Sequence, residues 1–131
     1  MKIYFDENIS PSLAKGLHHL VQPISDGIEV LSLKDVFGLG VADEDWIPQV
    51  GKEGGIVITQ DYNIYKNVNQ RELINQHGVG IFYIKPPSKT GYLYWEMVEF
   101  VIINWIKIIK LISNTEKPFA FVCKPRSIQK L

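Results

Sequence analysis

One cysteine, Cys123, stands in a chain of 131 residues. No internal disulfide can form, and a reducing compartment is expected. No basic segment followed by a long apolar leader opens the chain, so no secretory signal is read and a cytoplasmic protein is expected. His18, His19 and His77 lack metal-ligand spacing, and His18-His19 reads as a surface pair on a helix. No glycine-rich loop of the phosphate-cradling kind follows the first apolar run, which excludes a P-loop nucleotide hydrolase. There is no repeat, low-complexity tract or interdomain linker, so residues 1–131 read as one domain. The longest charge-free run in the most apolar segment is Phe100 to Ile106, far short of the ~20 residues of a membrane span, so no membrane contact is expected. With 46% hydrophobic and 21% charged residues, the chain has the balance of a globular domain with one core.

Net charge is also missing, but its distribution is uneven. Residues 1–63 carry ten acids against four bases, and residues 64–131 carry four acids against ten bases. The first half suits cations and the second suits phosphates.

What is present begins with Met1-Lys2-Ile3-Tyr4-Phe5-Asp6-Glu7-Asn8, a short apolar run that stops in two carboxylates and an amide. Ile3 to Phe5 suit a buried strand, and Ser10-Pro11 reads as an N-cap followed by a first helical residue. A first helix over Pro11 to Val21 would bury Leu13, Leu17, Leu20 and Val21. A second strand over Ile28 to Leu33 follows, then a loop marked by Gly38 and Gly40. Asp43 to Glu53 reads as a helix with Trp46, Ile47 and Val50 inward and Pro48 inside it. Ile56-Val57-Ile58-Thr59 is the clearest strand and ends in Gln60-Asp61. A helix fits the later part of Tyr65 to Gln76, a strand Gly80 to Ile84, a long helix Tyr92 to Ile112, and a fifth strand Phe119 to Cys123. Alternation of this kind predicts an α/β fold: a three-layer α/β/α sandwich with a mostly parallel five-stranded sheet and right-handed crossovers.

In such a sheet, ligands bind beyond the carboxyl ends of the strands. Asp6 and Asp61 lie at two of those ends, and Asp43 projects from the core-facing side at the start of its helix, so the three can converge. Asp43 as a mere N-cap, and Asp61 as a mere turn residue, are the plain alternatives. Crowded carboxylates raise one another's pKa, and a hard divalent cation removes that conflict. Such a site can activate water and offset the charge growing on a phosphodiester. Asn8, Asn63 and Thr59 could orient ligands around it. Lys66 and Arg71 could contact RNA phosphate, or be plain surface charge.

Phe5-Asp6-Glu7-Asn8-Ile9-Ser10-Pro11, Ala42-Asp43-Glu44-Asp45-Trp46-Ile47 and Ile56-Val57-Ile58-Thr59-Gln60-Asp61 together resemble the small PIN-like domains, and are similar to toxins of VapC type from prokaryotic toxin–antitoxin pairs. The resemblance covers about residues 1–84 and extends more loosely to the long helix and last strand. It implies a parallel α/β/α sandwich and a Mg²⁺- or Mn²⁺-dependent ribonuclease, with Asp6, Asp43 and Asp61 as catalytic metal ligands. It also implies an RNA substrate, an antitoxin protein as partner, and a tendency to pair. Two departures stand out. Asn63 occupies the position of a further acid, two residues past Asp61, and the second acid of the group is often Glu, so Glu44 competes with Asp43. Glu7 is a further candidate acid, although beside Asp6 it tends to face the other way.

Other readings compete. Asp6-Glu7, Asp61 and Lys124-Pro125 also fit the outline of a phospho-acceptor receiver domain, which leaves Asp43 without a role and the segment from Ile84 to Phe119 too long. A PIN-like fold lacking the fourth acid could instead bind a partner without cutting. Finally, Glu96, Glu99, Lys107 and Lys110 fall within an arc of about 80° on the long helix, and most of the remaining circle is apolar. That surplus predicts a homodimer or another partner chain.

Overall fold

A computed structural model describes residues 1–24, 27–61 and 67–131. The sheet starts from β1 (Lys2–Phe5), where Ile3, Tyr4 and Phe5 are all buried. A strand buried on both faces must lie in the middle of a covered sheet. β1 does so, pairing in parallel with β2 (Glu29–Ser32) on one side and β3 (Ile56–Thr59) on the other. β4 (Gly80–Ile84) and β5 (Phe119–Lys124) extend the sheet, again in parallel. The strand order is β2-β1-β3-β4-β5-β6. The mostly parallel α/β architecture expected from the sequence is therefore present, with one strand more. β6 (Ser127–Lys130) returns antiparallel to β5, Lys124 facing Ser127 across a turn made by Pro125 and Arg126.

Helices cover both faces. α1 (Pro11–Val21) starts where Ser10 Oγ accepts the Ser12 N–H at 3.2 Å, with Pro11 in the first turn. It buries Leu13, Ala14, Leu17 and Val21. Leu20 was expected inward and is 62% exposed; Ala14 completes the stripe instead. α5 (Tyr94–Asn114) lies on the same face, over Phe5, Ile58, Phe82 and Phe121. The opposite face, built on Tyr4, Val57, Ile81 and Tyr83, is covered by α3 (Asp43–Lys52) and α4 (Val68–His77). A five-residue helix, α2 (Leu33–Phe37), takes the last residue of the expected second strand and the residues before the glycines that mark the loop. His18, expected on the surface, is half-buried and accepts the Val30 N–H on Nδ1 at 3.1 Å. It thereby serves a backbone donor of the edge strand β2.

The crossovers do not share one hand. α1 carries the chain from β1 to β2 on one face, while α3 and α4 carry it the other way across the sheet on the opposite face. Those three connections agree in hand. α5 moves the chain in the direction of α3 and α4 but on the face of α1, so its hand is opposite. The nine residues of 85–93 make this possible by folding back over the ends of the strands. Gly91, at φ +79, lies so close to Gln60 that a Cβ there would sit 3.5 Å from Gln60 Oε1. Gly80 serves close packing differently: a Cβ on it would collide with the Phe119 ring.

Candidate active site

All parallel strands end on one rim, and the order of the sheet reverses between β1 and β3. α1 leaves β1 toward one face and α4 follows β3 on the other, which opens a crevice at that point. Asp6 follows β1 and Asp61 lies two residues beyond β3. Asp43 begins α3 on the same side. All three line one cavity of about 190 Å³, together with Glu7, Asn8, Lys34 and Trp46.

Each carboxylate is held differently. The Asp6 backbone N–H continues the ladder to Ile58 O at 2.9 Å, so its position is fixed by the sheet. Its Oδ2 accepts the Thr59 hydroxyl at 2.8 Å and its Oδ1 the Glu7 N–H at 2.7 Å. Burial pushes the Asp6 carboxyl above the usual carboxylate range; the two hydrogen bonds oppose the shift, and Glu7 and Asp61 add to it by charge repulsion. Thr59 also accepts the Asp61 N–H on Oγ1 at 3.0 Å, so one buried hydroxyl ties both strand ends.

Asp43 is not a cap. Ala42 takes the N-cap position, and Asp43 sits in the first turn of α3. Its Oδ1 accepts the indole N–H of Trp46 at 3.0 Å and its Oδ2 the Gln70 side-chain N–H at 3.0 Å. Trp46, one turn on, was visible in the sequence as a core residue but not as a donor to Asp43. Gln70 had no local signal at all. It comes from α4, is 2% exposed, and has a buried Oε1 with no hydrogen-bond partner among the described residues.

The remaining sequence candidates separate. Glu7 lines the cavity, contrary to the expectation that it faces away, because it lies in the turn beyond the strand where alternation has ceased; its Oε2 accepts the Gly40 N–H at 3.4 Å. Asn8 lines the cavity too, and its backbone oxygen accepts the Gln60 side chain at 2.8 Å. Glu44 is exposed and does not line the cavity. Arg71 lines a different cavity, with Ile74, Tyr83, Phe119 and Lys130. Asn63 and Lys66 lie outside the described residues.

Among the described residues, no three His, Cys, Asp or Glu side chains gather closely enough to hold a metal ion directly. The donor set nevertheless suits a hydrated hard cation. Mg²⁺ retains several waters and takes only one or two carboxylates. Asp6, desolvated and repelled by Asp61, gains most from such a neighbour.

A doubly wound sheet with carboxylates at its switch point defines an α/β domain with its candidate site in this crevice. A family model described as a PIN like domain matches residues 1–86, two-thirds of the chain, and the chain belongs to that family. Its members are generally nucleases and typically use divalent metal ions. No curated protein and no solved structure matches the chain.

Proposed function

We propose that the protein is a Mg²⁺- or Mn²⁺-dependent endoribonuclease acting at the β1/β3 crevice. The observation that carries this is the convergence of Asp6, Asp43 and Asp61 on one cavity. Asp6 and Asp61 would hold the hydrated ion, and Asp43 would bind its waters. When bound, the ion supplies positive charge against the phosphodiester and makes a water more acidic. Thr59 and the Glu7 amide fix both oxygens of Asp6. The attacking water would lose its proton to solvent. The water oxygen would bond to phosphorus, one P–O ester bond would break, and the leaving oxygen would take a proton from solvent. Trp46 and Gln70 keep Asp43 aimed while this occurs.

The test is cleavage of single-stranded RNA with Mn²⁺, and the melting temperature with and without it. Wild type should cut and should melt higher with the ion, since a ligand of the folded state stabilises it. Asp61→Asn should lose both. Labelling of Asp61 by acetyl phosphate without cleavage would overturn the nuclease reading. A second reading, a PIN-like module that binds RNA or a protein without cutting, is favoured by the lack of a three-acid cluster among the described residues. Binding without cleavage at any metal concentration would establish it.

The toxin role and the partner chain belong to the same proposal. Leu20, Ile24, Ile102 and Ile106 are exposed around an apolar groove of about 370 Å³ between α1 and α5. A charge-poor face of this kind suits an isologous contact with a second copy, which must be complementary to itself. Light scattering should give twice the mass of one chain, and Ile106→Asp should give one. A monomer that binds a short antitoxin helix through the same face would reassign the groove. A toxin should also arrest growth when expressed alone, and Asp61→Asn should not.

A further inference from the structure

The rim that holds the acidic cavity does not stay acidic. Over β1 and β3 and at the start of α3 it carries Asp6, Glu7, Asp43 and Asp61. Over β4 and β5 it carries Lys85, Lys89, Lys124 and Arg126, and no acid lies in residues 85–92 or 124–126. The placement follows from backbone bonds. Lys85 N–H donates to Cys123 O at 2.8 Å, which sets the residue after β4 beside the end of β5. Lys124 closes β5, and Arg126 occupies the hairpin turn just beyond it, exposed. The loop bearing Lys89, exposed, returns over β3, where Gly91 packs on Gln60, the neighbour of Asp61. Neighbouring strands are ~4.8 Å apart, so β1 to β5 spans roughly 15 Å, the reach of a few nucleotides. The nearest acids lie off this line on α5: Glu96 is tied to the Leu93 N–H at 2.8 Å, and Glu99 lines a cavity beside Pro125.

We propose that this basic half of the rim is a phosphate track, on which Lys85, Lys89, Lys124 and Arg126 hold the backbone of a single-stranded nucleic acid whose next segment lies in the acidic crevice. The inference rests on the nuclease reading for the direction of the strand, but not for its binding. Lys89, Lys124 and Arg126 lie beyond the span of the family match, which ends at residue 86. Phosphate contacts of this kind set register and affinity without reading bases. A strand so held crosses the sheet perpendicular to its strands and reaches Asp61 from the β4 side.

The experiment is fluorescence anisotropy of a labelled single-stranded RNA in EDTA, where no cleavage occurs, across a salt series. Wild type is compared with Lys124→Gln/Arg126→Gln and with Lys52→Gln/Lys110→Gln, which removes two exposed bases away from this rim. The first pair should weaken binding and lower the slope of log K against log salt by about 1.4, at ~0.7 per lost contact. The second pair should leave the slope unchanged. Equal slopes in all three proteins, no binding by wild type, or competition by an acidic peptide as effective as that by RNA, would each overturn the track. Cleavage assayed separately keeps the two ideas apart: binding lost with Lys124 and Arg126, but no cleavage by wild type, would sink the nuclease reading and leave the track standing.

Discussion

The two faces of the sheet are covered by different chemistry. Under α1 and α5 the core contacts are mainly apolar: Phe82 stacks on Phe121 at 5.3 Å between ring centres and meets Phe119 edge-on at 5.6 Å, with Ile108 and Val101 fully buried above. Under α3 and α4 the smaller core is laced with polar groups. Tyr4 donates its hydroxyl to Glu53, Trp46 donates to Asp43, and Gln70 reaches across from α4 to the same carboxylate. The first face supplies burial. The second couples its packing to the site, since the residues that fill it also aim Asp43. One face can therefore be weakened without touching chemistry, and the other can lose chemistry without being weakened.

The strongest test of that division is Phe82→Ala. It should cost about 3–5 kcal/mol in urea denaturation. Any surviving folded fraction should cut RNA at the wild-type rate per folded molecule. A selective loss of cleavage would end the division. Next comes Gln70→Leu, which removes the donor to Asp43 together with the unpartnered Oε1. Stability should change by less than ~1 kcal/mol, because an unsatisfied buried acceptor is removed with its donor. Cleavage should fall by about 10–100-fold, the usual consequence of losing a residue that orients a ligand. A large drop in stability with normal cleavage would reverse the assignment.

Smaller, and opposite in sign, is the effect of Asp6→Asn on the metal-free protein. The folded pKa of Asp6 is raised above its ordinary value of 3.8, so the folded state holds a proton that the unfolded chain releases. This contribution is fully present below pH about 3.8 and is lost as pH rises through the folded pKa. Asparagine should therefore raise the melting temperature at neutral pH by a few degrees and flatten that part of the pH profile. It can keep both bonds, accepting from Glu7 N–H and donating to Thr59. A lowered melting temperature would show that the charged form is the stabilised one. The smallest effect concerns Cys123, buried on the α5 face, whose thiol is pushed up to about 12 by burial. Native protein should resist thiol reagents at pH 8, with labelling paced by unfolding.

Much of this was legible along the chain. β1, β3 and β4 are apolar runs short enough to be strands, and α3 and α5 show their inward residues at helical spacing. Asp6 and Asp61 could be placed because a strand end is a local event, and parallel strands put their ends together. What escaped depends on neighbours distant in sequence. Gln70 is buried by contacts no local pattern records, and His18 looks like a surface residue until β2 presents an N–H to it. β6 is polar, with the adjacent Ser127 and Ile128 half-buried and the rest exposed, so no alternation marks it; α2 is too short for a periodic signal. The reversed hand of α5 follows from where the loop folds, not from the composition of the helix.

That α5 roofs strands made long before it has a consequence for synthesis. A nascent chain emerges N-terminus first, and its domains fold as units. When residues 1–86 have left the ribosome, four strands are available, but Ile3, Phe5, Ile58 and Phe82 still await the helix that covers them. The segment matched by the family should therefore not fold stably on its own in this chain. It would expose a greasy half-sheet until α5 arrives, and as a recombinant fragment it should aggregate where the full chain does not.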